Sequence, residues 1–253
     1  MQNPTKNDNP FCKDMNNEML YKKYIVNLDT LLTENKVCES HGIGHAINVF
    51  RHALYAISKI MSLSDNQKMC IVFAALLHDV DDRKFFPNHK NYENLRTILD
   101  DVDCDTVDLV VKMVHLVSSS KNGDNIPDEI KGNEWMLIPR YADRLEAVGI
   151  IGIKRCWQYT KTINNPLFTS NTPRAIDEND LWENIATEER YTKYNGVSAS
   201  MVDHFYDKLL RLTIFPIRNT YFDNICAKRR KSLVEFVLLF AKQKRKSMPS
   251  MLC

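Results

Sequence analysis

The strongest constraint on this chain is an unbroken apolar run, Cys70-Ile-Val-Phe-Ala-Ala-Leu-Leu77, that ends on His78-Asp79. Eight consecutive apolar residues offer no polar face to water, so the run is expected to be buried. Ser64-Asp-Asn-Gln67 has the form of a capping box, which starts a helix there and carries it into His78. Placing an ionisable pair at the wall of a core costs several kcal/mol unless something compensates, roughly as polar burial does generally. Read alone, the pair serves equally well as a structural helix end with the Asp as a cap. An imidazole beside a carboxylate in that position also suggests compensation by a bound cation.

The rest of the sequence reads as helical. Residues 1–16 are polar and Asn-rich, a loose arm, and one helical domain is expected over 17–253. Leu20, Tyr24, Leu28, Leu31 and Leu32 recur at helical spacing over 17–35. A second helix is predicted over 44–61, with Val49, Ala53, Ala56, Ile57 and Ile60 as its apolar stripe. Helices follow over 92–99 and 105–117, the latter buried through Val107, Val110, Val111 and Val114. Residues 118–133 read as a loop, and 136–160 as one long helix whose Gly149 and Gly152 permit close packing. The polar stretch 164–195 is expected to be an insertion or lid, and helices over 198–212 and 220–243 complete an all-α bundle.

Further metal ligands are available in this pattern. His45 lies in His41-Gly-Ile-Gly-His45 at the start of the second helix, and Asp143 interrupts an apolar helix. His45, His78, Asp79 and Asp143 can enclose one divalent cation while leaving coordination positions for water and substrate. Imidazole with carboxylate suits Mn, Fe, Co, Ni or Zn better than Ca.

Four ordered segments carry a resemblance: His41-Gly-Ile-Gly-His45-Ala-Ile-Asn-Val49, Leu76-Leu-His-Asp-Val80, Tyr141-Ala-Asp-Arg-Leu-Glu-Ala-Val-Gly-Ile-Ile-Gly-Ile-Lys-Arg155, and His204-Phe-Tyr-Asp-Lys-Leu-Leu210. Together they span about residues 38–212 and resemble the HD-domain metal-dependent phosphohydrolases, most closely the YpgQ/YedJ-like small HD proteins. The resemblance implies an HD-domain helical bundle, one divalent metal (Mn2+ favoured, Mg2+ also admitted) and hydrolysis of nucleoside triphosphates with release of pyrophosphate. It implies Asp82, four residues beyond His78, as the group that positions or deprotonates the attacking water, with Asp79 a catalytic ligand. The leaving pyrophosphate needs cations, for which Lys84, Lys121 and Lys208 are the first candidates, followed by Arg144, Arg83 and Lys154. His41 either faces the same site or donates a hydrogen bond at the helix start. Gly42, Asn48, Tyr141 and Glu146 depart from the family pattern and bear on substrate binding more than on metal binding.

The remaining histidines are read more plainly: His52 and His115 as buried core residues, His89 as a loop residue, and His204 as open to a pocket role. A net charge of +2 gives no global argument for nucleic acid or membrane. Lys228-Arg-Arg-Lys231 and 242–246 read as a solvated basic face. Seven scattered cysteines without a C-x-x-C, and no apolar stretch long enough for a signal or a span, lead to the expectation of a reduced, cytoplasmic protein. The expected partner is a nucleotide substrate, with no nucleic acid and no membrane, and a homodimer is allowed for. The rival functions are a 5′-nucleotidase, a hydrolase of a phosphorylated alarmone, and a binding protein that has lost turnover.

Overall fold

The computed structural model describes residues 19–87, 90–118 and 125–243; the N-terminal arm, His89, Lys121 and residues 244–246 of the basic tail lie outside them. Helices and turns make up the fold, with no strand among the described residues. The chain forms two compact units. The first takes the described residues up to Val117 together with Trp135–Pro139, and the second takes those of Ser118–Glu134 and those from Arg140 on.

The first unit is built on α1 (Lys22–Glu34), α2 (Ile43–Ile57), α3 (Asp65–Leu76), α4 (Glu93–Ile98) and α5 (Cys104–Val117). The apolar run makes α3 the central helix: every residue from Cys70 to Leu77 is buried, with α2 and α5 against it. Its start is the expected capping box, in which the Gln67 amide donates to Ser64 Oγ at 3.2 Å and the Ser64 amide to Gln67 Oε1 at 2.9 Å. Its end differs from expectation. The helix stops at Leu76, and His78 and Asp79 occupy a turn closed by Val80 N–H to the Leu77 carbonyl and Asp82 N–H to the Asp79 carbonyl. Two other details differ: Leu20 precedes α1 and is exposed, and Met113 rather than Val111 joins the buried face of α5.

The second unit contains most of α6 (Ile138–Glu146), then α7 (Gly149–Thr162) and the long α8 (Thr220–Lys242). The single helix expected over 136–160 is therefore corrected to a 3-10 turn and two helices. Val148 is extended and Gly149 has φ +74°, a backbone state that ends a helix and suits glycine. The close packing expected at Gly149 is present, because a Cβ there would come within 2.8 Å of Arg229 Cγ on α8. Gly152 likewise lies against the Ala147 carbonyl.

The polar 164–195 stretch contributes directly to this unit's core. Short helical turns Glu178–Asp180, Leu181–Ile185 (π-helical) and Glu188–Thr192 bring Leu181, Ile185 and Ala186 against Phe205, Tyr206 and the Leu233–Phe240 face of α8. The basic Lys228–Lys231 segment of α8 is only partly a solvated face. Arg229 donates to the Leu145 carbonyl and pairs with Glu146, while Arg230 binds Thr213 through Nε at 2.9 Å and Nη2 at 2.7 Å. No helix among the described residues is long and apolar enough to cross a membrane.

Candidate metal centre

The first unit brings together His45 from α2 and His78 and Asp79 from the turn after α3. Their placement follows from the local sequence. Helix α2 presents His45 from its first turn, while burial of the apolar run pins the turn that carries the other two. His45 and His78 are 7% and 8% exposed, so both imidazoles have left bulk water.

The ligand atoms converge closely. His45 Nε2 lies 3.1 Å from His78 Nε2, and Asp79 Oδ2 lies 3.3 Å from His78 Nε2 and 3.8 Å from His45 Nε2. A triangle with those sides has a circumradius of about 2.0 Å, so one point sits at that distance from all three atoms. Metal–nitrogen and metal–oxygen bonds of roughly 2.0–2.2 Å fit this triangle without moving a side chain. At that distance the point lies close to the plane of the three atoms, which leaves positions above and below the plane for others.

The tautomer of one imidazole is fixed by its backbone. His78 Nδ1 donates to the Ala75 carbonyl at 2.9 Å, which directs the Nε2 lone pair at the other two groups. A hydrogen bond of this kind is the usual outer support of a metal-bound histidine. Burial alone would raise the Asp79 carboxyl, but when His78 is protonated its charge and hydrogen bond, with His45 and His41 behind, hold the carboxyl well below the usual carboxylate range. The carboxylate is thus anionic at neutral pH, as a ligand must be.

Residues around this centre are placed as follows. His41 ends the 3-10 turn before α2, with Nδ1 3.0 Å from Ser40 Oγ and its ring 5.1 Å from Phe85 and 6.2 Å from His45. Asp82 is half-buried, and its Oδ1 accepts the Lys84 amide at 2.9 Å. The Lys84 and Arg83 side chains are exposed. Asp143 and Arg144 lie on α6 in the second unit; Asp143 is half-buried, whereas Arg144 is 3% exposed with its guanidinium 5.4 Å from the Tyr141 ring. Lys208 is in the second unit too, its Nζ 6.0 Å from the Tyr194 ring. Beside it, His204 Nδ1 approaches Tyr194 Oη at 3.3 Å and Ser198 Oγ at 3.2 Å.

Three features of this region escaped the sequence. Asp81 accepts the backbone amides of Asn94 and Leu95 at 3.1 and 3.0 Å. Asn94 in turn donates Nδ2 to the Val80 carbonyl at 2.7 Å, so the turn bearing His78 and Asp79 is tied to α4. His115, expected to be buried, is corrected to an exposed residue of α5 whose Nδ1 lies 3.1 Å from Tyr92 Oη. Its neighbours Val114, Leu116 and Val117 are buried, so the helix turns position 115 outward. Tyr92 and the preceding Asn91 both have left-handed backbone, φ 57° and 54°. For a tyrosine that conformation costs about 1–2 kcal/mol. No pairing across 13 or 23 residues of this kind is announced by local sequence.

Comparison with known proteins gives a consistent result. No protein-family model matches the chain. Protein L803 of Acanthamoeba polyphaga mimivirus, described only as uncharacterized, is 39% identical over 220 residues, which is 79% of this chain and 88% of L803. An HD-superfamily hydrolase from Bacillus thuringiensis superposes with a TM-score of 0.60 at 20% identity, covering 89% of this chain and 96% of that one. YpgQ from Bacillus subtilis gives a TM-score of 0.56 at 17% identity, covering 88% of this chain and 98% of YpgQ, and a further YpgQ structure is a complex with ADP.

Proposed function

The chain belongs to the family of mimivirus protein L803 and has an HD-domain helical fold related to that of YpgQ; from that premise we propose that it is a metal-dependent phosphohydrolase acting on nucleotides. The observation that carries this reading is the convergence of His45 Nε2, His78 Nε2 and Asp79 Oδ2 on one point at bonding distance. When bound, a divalent cation lowers the pKa of a coordinated water and offsets the charge of phosphate oxygens.

The chain's own residues have separable tasks. His45, His78 and Asp79 would hold the ion, and on sequence order Asp143 is proposed as a fourth ligand. Asp82, its carboxylate steadied by the Lys84 amide, would orient the attacking water and take its proton. Lys84, Lys121, Lys208, Arg144 and His41 are the proposed contacts for phosphate oxygens. The preferred substrate is a (d)NTP cleaved to release pyrophosphate, with Mn2+ as the favoured ion; the ADP bound by YpgQ supports a ligand bearing a nucleoside and a diphosphate. The proposed location is the cytoplasm.

Purified protein incubated with Mn2+ and a nucleotide panel tests the reading. Pyrophosphate from dNTPs is the expected product. Orthophosphate from dNMPs would replace the proposal with a 5′-nucleotidase, and no turnover with any divalent ion would leave a binding protein. Asp79→Ala should lower activity by at least about 100-fold, since even outer-shell changes cost 10- to 100-fold. It should also abolish the rise in Tm that Mn2+ gives the parent protein; a surviving rate would sink the assignment.

A further inference from the structure

We propose that the chain pairs with a second copy of itself through the second unit, the cationic face of α7 in each copy lying against the acidic 176–188 segment of the other. This pairing stands apart from the phosphohydrolase reading. Four observations lead to it, all within the second unit.

The first is the make-up of α7. The helix carries Lys154, Arg155 and Lys161 and no acidic residue. Gly152, Ile153 and Thr160 are buried on the side that packs on α8. Ile150, Lys154 and Lys161, one and then two turns apart, share a side exposed to water, with Ile151 and Tyr159 exposed beside them. The second is the opposite composition of 176–188. Ile176 is 84% exposed and is followed by Asp177, Glu178, Asp180, Glu183 and Glu188, with no lysine or arginine in the segment. Leu181, Ile185 and Ala186 anchor it to the core, and the acidic side chains other than the half-buried Asp180 are exposed.

The third observation is that neither set is answered within the chain. Arg190 and Lys193 of the same unit pair with Asp203, Asp207 and Glu189. Among the described residues, Lys154 and Lys161 make no ion pair, and neither do Asp177, Glu178, Glu183 and Glu188. Single charges of this kind are ordinary on a surface. Sorted by sign and set around exposed isoleucines, they form two complementary patches, in which the aliphatic groups supply area to remove from water and the charges set the register.

The fourth is where the two patches lie. Burial, with Asp207 and then Tyr159 of α7 adding to it, raises the phenol of Tyr194, which follows the Glu188–Thr192 turn. The C-terminal end of α7 therefore adjoins the end of the acidic stretch. Adjoining patches of opposite sign are self-complementary: a two-fold axis between them brings each onto its opposite in the second copy and closes the pair with two equivalent contacts. A second copy is thus the partner that offers the complement of both patches at once.

Sedimentation equilibrium of the full chain tests the pairing. In about 0.05 M salt the parent should have the mass of two chains, and in about 1 M salt, where the screening length falls to about 3 Å, the dimer Kd should rise at least about tenfold. Lys154→Glu with Lys161→Glu should leave a single chain, and so should Glu183→Lys with Glu188→Lys. All four side chains are exposed, and an unchanged Tm checks that each variant folds. An equimolar mixture of the two variants should form a mixed dimer, because one variant then carries two acidic faces and the other two basic ones. Lys154→Gln with Lys161→Gln should weaken the parent dimer by a smaller factor, and this pair carries the test where a charge-reversed chain does not fold.

A parent that remains a single chain at about 100 μM overturns the proposal. A dimer that survives the lysine and glutamate reversals overturns it too, as does one that both reversals break and mixing fails to restore. A mixed dimer formed from two variants that are each single chains identifies a second copy as the partner.

Discussion

Each unit places a carboxylate in a polar pocket, and the two are answered in opposite ways. In the second unit Asp203 is 5% exposed and is met by donors on every side. Ser200 and Thr172 donate hydroxyls to Oδ2 at 2.6 and 2.7 Å, and Arg190 reaches Oδ1 at 2.9 Å while its Nε binds Asp207 at 2.5 Å. In the first unit the carboxylate of Asp79 meets the Nε2 atoms of two imidazoles, and one of those rings has its proton directed away to a backbone carbonyl. A carboxylate surrounded by hydroxyls and a guanidinium is a structural joint. Lone pairs pointed at a common centre make a ligand set. Burial alone does not separate the two; the direction of the hydrogen-bond donors does.

Substitution of the two carboxylates should break this symmetry most sharply. Asp203→Ala leaves a largely buried Arg190 with half its charge answered, and stability should fall by about 3 kcal/mol. Denaturant unfolding without added metal measures the loss. Asp79→Ala should show a smaller loss in metal-free buffer, and no gain from Mn2+ where the parent gains about 2.7 kcal/mol at 100 times Kd. Equal losses for the two in metal-free buffer would show that the first carboxylate is also a joint.

The same contrast explains what could be read in advance. The central helix was legible because eight apolar residues and a capping box act within one turn of each other. His45, His78 and Asp79 were legible because an ionisable pair after such a run demands compensation and α2 supplies a nearby third group. The break between α6 and α7 was not, because Gly149 inside an apolar stretch is equally compatible with close packing in a continuous helix. The atoms that a Cβ at Gly149 would meet belong to Arg229, 80 residues downstream on α8. The part played by 164–195 was hidden for a related reason: its polar composition outweighs the few apolar residues, Leu181, Ile185 and Ala186, that enter the core. Asp81 lay beside the pair and was passed over because its partners, the amides at 94 and 95, carry no side-chain signature.

A pH titration sharpens the comparison at a smaller scale. In the second unit burial, assisted by the Lys208 charge, pushes His204 down to about 4 from an ordinary 6.5. Above pH 6.5 the ring is neutral in both folded and unfolded chains, and it contributes no pH dependence. Between pH 6.5 and about 4 the unfolded chain takes up a proton that the folded one refuses, so stability falls as pH falls and levels off below. With allowance for partial exposure the loss at pH 5 is about 1–2 kcal/mol. His204→Gln should remove that component from urea unfolding measured between pH 7.5 and 5; an unaltered slope would move the acid sensitivity elsewhere.

The smallest effect belongs to the helix that carries the centre. Ser64→Ala removes the acceptor for the Gln67 amide and one half of the capping box, at a cost of about 1 kcal/mol. The cap is at the opposite end of α3 from His78, twelve residues away from Leu76, and that end is held separately by Asp81 and Asn94. The ligand triangle should therefore keep its shape: Tm falls by a few degrees, while Mn2+ affinity stays within about twofold of the parent's. A larger fall in affinity would mean that the geometry of the turn is set by the whole helix and not by its local ties to α4.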